Sequence, residues 1–298
     1  MFKLIQNFLA AIILLITLIF LRIIGKKIAS NLCAFIFSKI GPISKFNEIA
    51  KKNILYVWPN KKNNDIKKIT VGMWKNIGRN FGEIVHLKNY KPLHCNKTKI
   101  VGLNKIKNIV ALNNKKKKGI IFFSAHYGNW ELGPLVIKDL KLEPLSLYRK
   151  SNNKFIEFII QAIRSSNGKY APKGDLGAKK SFLWLRKGKS LAMLIDQKLN
   201  EGPSIDFLGK PAHTASFIAE LAIRMDLDIV PIQFLRNTKY ENTIKFYNKI
   251  KLPKKNLGKE ERINIILKQI NDTVSVWIKN KPEYWLWIHR RWSKKLYL

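Results

Sequence analysis

The sequence predicts an α/β protein with a mixed, largely parallel sheet flanked by helices. An N-terminal membrane-anchoring helix and a helical membrane-proximal region are predicted to precede this core. Three features support the prediction: a long apolar segment near the start, a following region with apolar residues at three- and four-residue spacing, and strand-like segments that alternate with helix-like ones after residue 116. Such alternation is typical of a parallel sheet covered by helices.

The chain length sets the domain organisation. With 298 residues, the chain is long enough for one large α/β domain and an anchoring segment. We predict that residues 1–45 form the anchor and an interfacial helix, and that residues 46–298 form one globular domain. Within this domain, residues 46–115 are a helical lead-in and residues 116–298 are the α/β core. Apolar residues make up 46% of the chain, which excludes global disorder.

The N-terminal segment Phe8–Ile24 is apolar except for Thr17 and Arg22. Seventeen helical residues extend for about 26 Å, close to the ~30 Å hydrocarbon core of a bilayer. The positive charges that follow this segment predict that the rest of the chain stays in the cytoplasm. The segment "NLCAFIFSKIGP" is predicted to lie in the membrane interface as an amphipathic helix. The alternative for Phe8–Ile24 is a buried core helix.

The lead-in contains two segments with helical spacing, "FNEIAKKNILYVWP" and "ITVGMWKNIGRNFGEIVHL". After the charged turn Asn113–Lys118, the pattern predicts strands at "GIIFFSA", "EPLSLYR", "SLAMLID", "DIVPIQFL" and "NTIKFYNKI". Between and after these strands it predicts helices at "NWELGPLVIKDL", "NKFIEFIIQAIRSS", "GAKKSFLWLRKG", "TASFIAELAIRMD" and "KEERINIILKQINDTVSVWIKN". The second of these helices is amphipathic. We find no internal repeat and no low-complexity linker.

The formal net charge is +37, and only ten of the 56 basic residues are arginine. Abundant Lys, Asn and Ile are typical of an AT-rich genome, so part of this charge reflects codon bias. The remainder favours anionic partners, which include nucleic acid, an anionic membrane and an acidic protein. Nucleic-acid-binding proteins usually place many arginines and aromatic residues on one face. The lysines here are scattered, which favours a membrane surface and predicts no nucleic-acid partner.

The strand "GIIFFSA" ends just before His126, at the edge where ligands bind in sheets of this class. Gly128 permits a tight turn, and Asn129 is a good N-cap that places Glu131 in the first helical turn. There the helix dipole favours an ionised Glu131, which is predicted to fold back and orient the imidazole as a general base. Such a base contributes about 10²- to 10⁴-fold in rate. The alternative is a structural histidine beside a glutamate that only compensates the dipole.

Other chemistries lack their motifs. No second His or Cys stands at zinc-ligand spacing, and Cys33 and Cys95 form neither a metal site nor a disulfide framework. The sequence contains neither a G-x-S-x-G elbow nor a phosphate-binding loop of the G-x-x-x-x-G-K-[ST] type. We therefore predict no metal.

Several motifs resemble one known family in the same order. "HYGNWELG" is similar to the His-x4-Asp/Glu motif of the lysophospholipid acyltransferase superfamily, in the form used by lipid A biosynthesis acyltransferases, which include lauroyl and myristoyl acyltransferases. The likeness continues through "LYRKSNN", "IRSSNGKY", "LAMLIDQKLNEGPSIDFLGKPAHTA", "IVPIQFL" and "EYWLWIHRRW". It covers roughly residue 70 to the end, together with the N-terminal anchor. Many acyltransferases have Asp where this chain has Glu131, and either carboxylate serves the same role.

The resemblance implies transfer of a fatty acyl chain from an acyl carrier protein to a hydroxyl of a lipid A precursor. His126 is the implied general base and Glu131 its orienting partner. Arg149 and Arg164 are implied to hold phosphate or sugar of the acceptor, a role that suits a forked guanidinium. The backbone N–H groups near Asn129, or an arginine, are candidate donors to the developing negative charge. Asp196 is expected to orient a loop or Arg164, with a purely structural role as the alternative.

The resemblance also implies the surroundings of the reaction. No cofactor is expected beyond the acyl carrier protein thioester as co-substrate. The expected partners are the acidic carrier protein, an anionic lipid acceptor and the membrane, and the expected location is the cytoplasmic face of the bacterial inner membrane. His213 is expected near a helix cap, and His289–Arg291 as a structural lock or phosphate contact. The tryptophans suit either an interface belt or the core: Trp277, Trp285, Trp287 and Trp292.

Some alternatives stay open. The polar residues that separate a sugar-lipid acceptor from a glycerophosphate acceptor are not legible in the sequence, so a glycerophospholipid or other glycolipid acyltransferase is the second hypothesis. A non-catalytic, membrane-tethered protein that binds anions is the third. Acyl chain length depends on the depth of a pocket, so motifs do not predict it.

Overall fold

The computed structural model describes residues 2–237 and 241–298. Over these residues the helices are α1 (Phe2–Ile23), α2 (Lys26–Ile40), α3 (Lys45–Val57), α4 (Asn63–Glu83), α5 (Leu103–Lys115), α6 (Leu132–Asp139), α7 (Lys154–Arg164), α8 (Asp175–Arg186), α9 (Phe217–Met225) and α10 (Lys259–Asn280). The strands are β1 (Thr98–Val101), β2 (Ile120–Ser124), β3 (Pro144–Tyr148), β4 (Lys169–Pro172), β5 (Ser190–Leu194), β6 (Ser204–Phe207), β7 (Lys210–His213), β8 (Asp228–Arg236) and β9 (Asn242–Phe246).

Seven strands form one sheet in the order β1-β9-β8-β2-β5-β3-β4, and β6 and β7 form a separate hairpin. The strands from β8 through β4 run parallel to one another. β9 pairs with β8 in the antiparallel direction, and β1 pairs with β9 in the parallel direction. The predicted mixed, largely parallel sheet flanked by helices is confirmed.

The structure contains four strands that the sequence pattern did not predict. β1 lies within the predicted helical lead-in, so that region also contributes an edge strand to the sheet. β4, β6 and β7 have four residues each, too few for a clear alternation. Two of them also contain proline, which weakens a strand signal further.

Apolar side chains cover both faces of the sheet. One core cluster joins α3, α4, α9, α10 and the C-terminal segment to one face of the sheet, and the other packs α5 and α6 against the opposite face. The four tryptophans that the sequence left undecided are all in the core, each at most 2% exposed: Trp277, Trp285, Trp287 and Trp292. The alternative of a belt at the membrane interface is therefore excluded for them.

α1 packs against the rest of the chain by one narrow stripe. Ala11, Leu18 and Leu21 are buried, while most of the helix surface is exposed and apolar. Near its C-terminal end, Arg22 donates a hydrogen bond to the Val85 carbonyl oxygen at 3.1 Å. Among the described residues, α1 is the one helix that is long and apolar enough to cross a membrane, although length and composition alone are weak evidence for a span.

Candidate active site

Two adjacent strands bring His126 and Asp196 together. β2 and β5 run parallel with Ser124 opposite Leu194. Each strand is followed two residues later by one of these side chains, and so both lie at the same edge of the sheet. Main-chain pairing continues past the strands, since Ile195 N donates to the Ser124 carbonyl at 3.2 Å. This is the edge at which ligands bind in open parallel sheets.

Asp196 is the carboxylate that holds the imidazole. Its Oδ1 lies 2.9 Å from His126 Nδ1, and its Oδ2 accepts from the His126 backbone N–H at 3.0 Å. Trp285 Nε1 also donates to Oδ2 at 2.7 Å. Burial alone would raise the pKa of the Asp196 carboxyl, but the neighbouring His126 and His289 and the hydrogen bonds from His126 and Trp285 hold that pKa well below its usual range. Asp196 is therefore ionised, which keeps the proton on His126 Nδ1.

Glu131 contacts Arg164 in this structure. Arg164 Nε donates to Glu131 Oε2 at 3.3 Å, and Arg164 Nη2 forms a second, shorter bond to Oε1. The predicted contact of Glu131 with the His126 ring is wrong in this structure, because Asp196 already occupies Nδ1. Asp196 was expected to orient a loop or Arg164: it does hold the loop at the His126 backbone N–H, whereas Arg164 pairs with Glu131. Helix α6 begins at Leu132 with Glu131 at its N-cap, so the predicted N-cap at Asn129 is also wrong.

Asn129 lies behind the candidate site. Its side chain is buried and donates to Glu83 Oε2 at 2.8 Å, and its residue does not line the cavity described below. The Asn129 side chain is thus held behind the cavity, and a role in substrate binding stays a prediction. The amide of Asn129 is bonded to the buried carboxylate of Glu83, the last residue of the lead-in helix α4. No sequence motif in that helix marked it as part of the site.

The loop after His126 is held from two sides. Asn76 and Asn80 of α4 donate to the Gly128 carbonyl oxygen at 3.1 and 2.8 Å, while Gly128 N donates to the Tyr284 carbonyl at 3.0 Å. Gly128 has φ +58°, and an added Cβ would lie 1.9 Å from the Phe234 carbonyl oxygen. The predicted tight turn is confirmed, and no other residue type fits there without moving the backbone.

Arg236 links the two asparagines to Glu83. Its guanidinium donates to Asn76 Oδ1 at 3.0 Å and to Asn80 Oδ1, and it forms a salt bridge with Glu83 Oε1 at 2.7 Å. Ser30 of α2 donates to the same carboxylate at 2.6 Å. The lead-in therefore supplies a buried polar network that supports the catalytic loop from behind.

A cavity of about 210 Å³ opens beside His126. Its lining is largely apolar and also holds polar and charged side chains. The apolar part includes Phe122, Pro134, Ile137, Ala192, Ile232 and Phe234. The polar part includes His126, Glu131, Arg149, Arg164, Tyr170 and Lys173, of which Arg149 and Lys173 are exposed and mark its mouth. Four of the six residues predicted for the site thus line this cavity, Asp196 contacts one of them, and Asn129 does not line it.

Arg149 is exposed at the mouth of the cavity. Lys173 lies at the same mouth, and its Nζ donates to Gln197 Oε1 at 2.6 Å. The guanidinium of Arg164, in contrast, is held by Glu131 and lies over the Tyr170 ring at 5.8 Å. Of the two predicted phosphate-binding arginines, Arg149 is the one exposed to solvent.

His289 is a second histidine next to the candidate base. Its ring centroid lies 4.8 Å from that of His126. Burial, assisted by the neighbouring His126, lowers the pKa of His289 to about 4, so this ring is neutral near pH 7. Arg291 is fully buried and donates to the His213 carbonyl at 2.6 Å and to Thr214 Oγ1 at 2.9 Å. Arg291 is thus the predicted structural lock, whereas His289 lies in the site itself.

Comparison with known proteins identifies the family. No curated protein matches the chain. The profile of the family described as bacterial lipid A biosynthesis acyltransferase matches residues 2–294, which is nearly the whole chain. The match confirms the resemblance seen in the motifs and shows that the chain is an enzyme of the acyltransferase type. The chain belongs to the bacterial lipid A biosynthesis acyltransferase family.

Proposed function

We propose that this enzyme transfers a fatty acyl chain from an acyl carrier protein thioester to a hydroxyl of a lipid A precursor. The observation that carries the proposal is the His126–Asp196 pair beside a cavity with a largely apolar lining. A positioned imidazole supplies the base that a hydroxyl needs, and an apolar cavity suits an acyl chain. The family assignment supports the reaction class.

In this mechanism His126 acts first as a base and then as an acid. Its Nε2 takes the proton of the acceptor hydroxyl while the hydroxyl oxygen bonds to the thioester carbonyl carbon. The carbon–sulfur bond then breaks, and the thiolate takes the proton back from Nε2, giving an ester and a free thiol. Asp196 stabilises the imidazolium between these steps, as the carboxylate does in a hydrolase triad. The predicted hydrogen-bond donors to the developing oxyanion are the backbone N–H groups near Asn129 or an arginine.

The substrates are proposed from the charges around the mouth. Arg149 and Lys173 suit a phosphate of the acceptor lipid. The net charge of +37 suits an acidic carrier protein and an anionic leaflet. The basic residues at the end of α1 support a catalytic domain on the cytoplasmic face of the inner membrane. We propose no cofactor.

The function is tested with the purified full chain in detergent. Labelled acyl donors, on carrier protein or on coenzyme A, are offered with either a phosphorylated disaccharide lipid or lysophosphatidate. We expect product from the carrier-protein donor and the disaccharide lipid, with a mass increase of one acyl group. Preference for lysophosphatidate would assign the enzyme to glycerophospholipid synthesis instead. Preference for the coenzyme A donor would overturn the donor assignment.

The cavity is proposed to hold the acyl chain. Phe122 and Ala192 face each other across β2 and β5, two residues deeper than the Ser124–Leu194 pair at the rim. Two residues of strand correspond to a depth of about 7 Å. The side chain at position 192 therefore lies deep in the cavity, where a longer acyl chain would end.

Ala192→Leu is expected to shift the preferred acyl chain toward shorter lengths. Leucine adds three carbons inside the cavity, so the preferred chain should shorten by roughly two to three carbons. The measurement is competition among carrier-protein donors of different lengths. Ala111→Leu adds the same carbons on the exposed surface of α5 and should leave the preference unchanged. An unaltered length preference in an active Ala192→Leu enzyme would place the acyl chain elsewhere.

A further inference from the structure

Helix α7 makes polar contacts with the protein from one of its sides. Glu157, Gln161 and Arg164 are spaced by four and three residues and therefore share one side of the helix. Glu157 accepts from the Ser151 backbone N–H at 2.8 Å and pairs with the Tyr148 hydroxyl. Gln161 donates to the same hydroxyl at 3.1 Å, and Arg164 pairs with Glu131. Glu157 and Arg164 thus contact Tyr148 and Glu131, two residues that line the cavity.

α7 also leaves apolar side chains exposed. None of its eleven residues is buried, although seven are apolar. Phe155, Phe158 and Ala162 are exposed, and the four isoleucines are half-buried: Ile156, Ile159, Ile160 and Ile163. Phe158 is 75% exposed. An amphipathic helix on a water-soluble domain normally buries its apolar face in the core. In α7 this burial is incomplete, and an exposed apolar surface on a folded protein marks a contact with a membrane or another protein.

α7 also lies beside the apolar part of α1. The Phe8 and Phe155 rings pack edge to face at 5.3 Å, and Asn153 Nδ2 donates to the Asn7 carbonyl at 2.7 Å. These contacts join the exposed apolar side chains of α7 to the exposed apolar surface of α1.

We propose that α7 is a second membrane-embedded element, with the exposed Phe155 and Phe158 in the lipid and Arg164 in the cavity wall. The proposal commits to a lipid bilayer as the occupant of this face, since the face continues the surface of α1, a candidate membrane segment by length and composition. With α7 in the membrane, the cavity that Arg164 lines would open next to the lipids. The proposal concerns attachment and holds whichever acyl acceptor the enzyme uses.

The depth of α7 is measured with a spin label. In the full chain carrying Cys33→Ala and Cys95→Ser, Phe158→Cys receives a nitroxide, and the protein is placed in phosphatidylethanolamine–phosphatidylglycerol vesicles. We expect the label to collide more with oxygen than with a water-soluble nickel chelate, as it does in lipid. Leu112→Cys is the matched control. Leu112 is 57% exposed, and its neighbour Asn113 contacts Asp228 at the opposite edge of the sheet.

Two results would overturn the proposal. Equal, water-like collision profiles at positions 158 and 112 would place α7 in solvent. Strong coupling between labels at position 158 of two molecules, with a water-like profile, would show that a second copy covers the face. A photo-crosslinking phenylalanine analogue at position 158 gives an independent readout in the chain with its native cysteines. It should crosslink to labelled phospholipid, and the same analogue at position 112 should not.

Discussion

Asp196→Asn is expected to lower kcat by about 10³- to 10⁴-fold, comparable to the loss when the triad aspartate of a serine protease becomes asparagine. The substitution keeps the size of the side chain and an acceptor for Trp285, but it removes the charge that holds the proton on His126 Nδ1. An amide facing Nδ1 favours the opposite tautomer, which protonates the nitrogen that must act as base. The measurement is the steady-state rate at saturating acyl donor and acceptor.

Three comparisons make this result specific. Glu131→Gln should reduce kcat much less than Asp196→Asn, because Glu131 pairs with Arg164 and not with the ring. His126→Ala combined with Asp196→Asn should be no slower than His126→Ala alone, since groups that act as a unit are not additive. Asp196→Asn should also keep its cooperative unfolding transition. A larger loss from Glu131→Gln would instead assign the orienting role to Glu131.

Glu83→Ala is expected to reduce the free energy of unfolding by about 3–5 kcal/mol, because it leaves the buried charge of Arg236 without its partner. The side chains of Arg236 and Glu83 are only 13% and 5% exposed, and Ser30 and Asn129 also lose their acceptor. We further expect lower activity, because this network holds the loop that carries His126. Denaturant unfolding in detergent measures the first effect, and kcat the second.

The matched control is Glu48→Ala. Glu48 pairs with Lys51 at 2.9 Å on the surface of α3, and its side chain is 64% exposed. Exposed pairs of this kind contribute less than about 1 kcal/mol. Glu83→Gln keeps the hydrogen-bonding shape without the charge and should fall between wild type and Glu83→Ala. Equal stability of the Glu83→Ala and Glu48→Ala variants would mean that the network contributes little to folding.

Strand order explains why the partner of His126 was not predictable. His126 and Glu131 are five residues apart, so a contact between them is a local inference. Asp196 follows His126 by 70 residues. It reaches the ring because β5 inserts next to β2, ahead of β3 in the sheet. Periodicity predicts that strands exist, but it does not state which of them become neighbours.

The exposed side of a helix was not predictable for the same reason. The sequence shows that α7 is amphipathic, and an amphipathic helix normally buries its apolar side. In the structure its isoleucines are only half-buried and Phe158 is 75% exposed, while Glu157 and Arg164 contact Tyr148 and Glu131. Likewise, nothing in the lead-in motifs marks Glu83 as a partner of Asn129, because the two are joined only when α4 packs behind the loop.

By itself the sequence determined the α/β class, the apolar N-terminal helix, the acyltransferase family and the position of His126 at a strand end. These follow from the spacing of apolar residues and from short motifs, and each such signal can be read within one continuous segment of the sequence. Only the tertiary structure decided that Asp196 holds the imidazole, that Asn129 pairs with Glu83 behind the cavity and that α7 leaves Phe155 and Phe158 exposed beside α1. Each of these depends on which distant segments become neighbours, and that is settled by the packing of the whole chain.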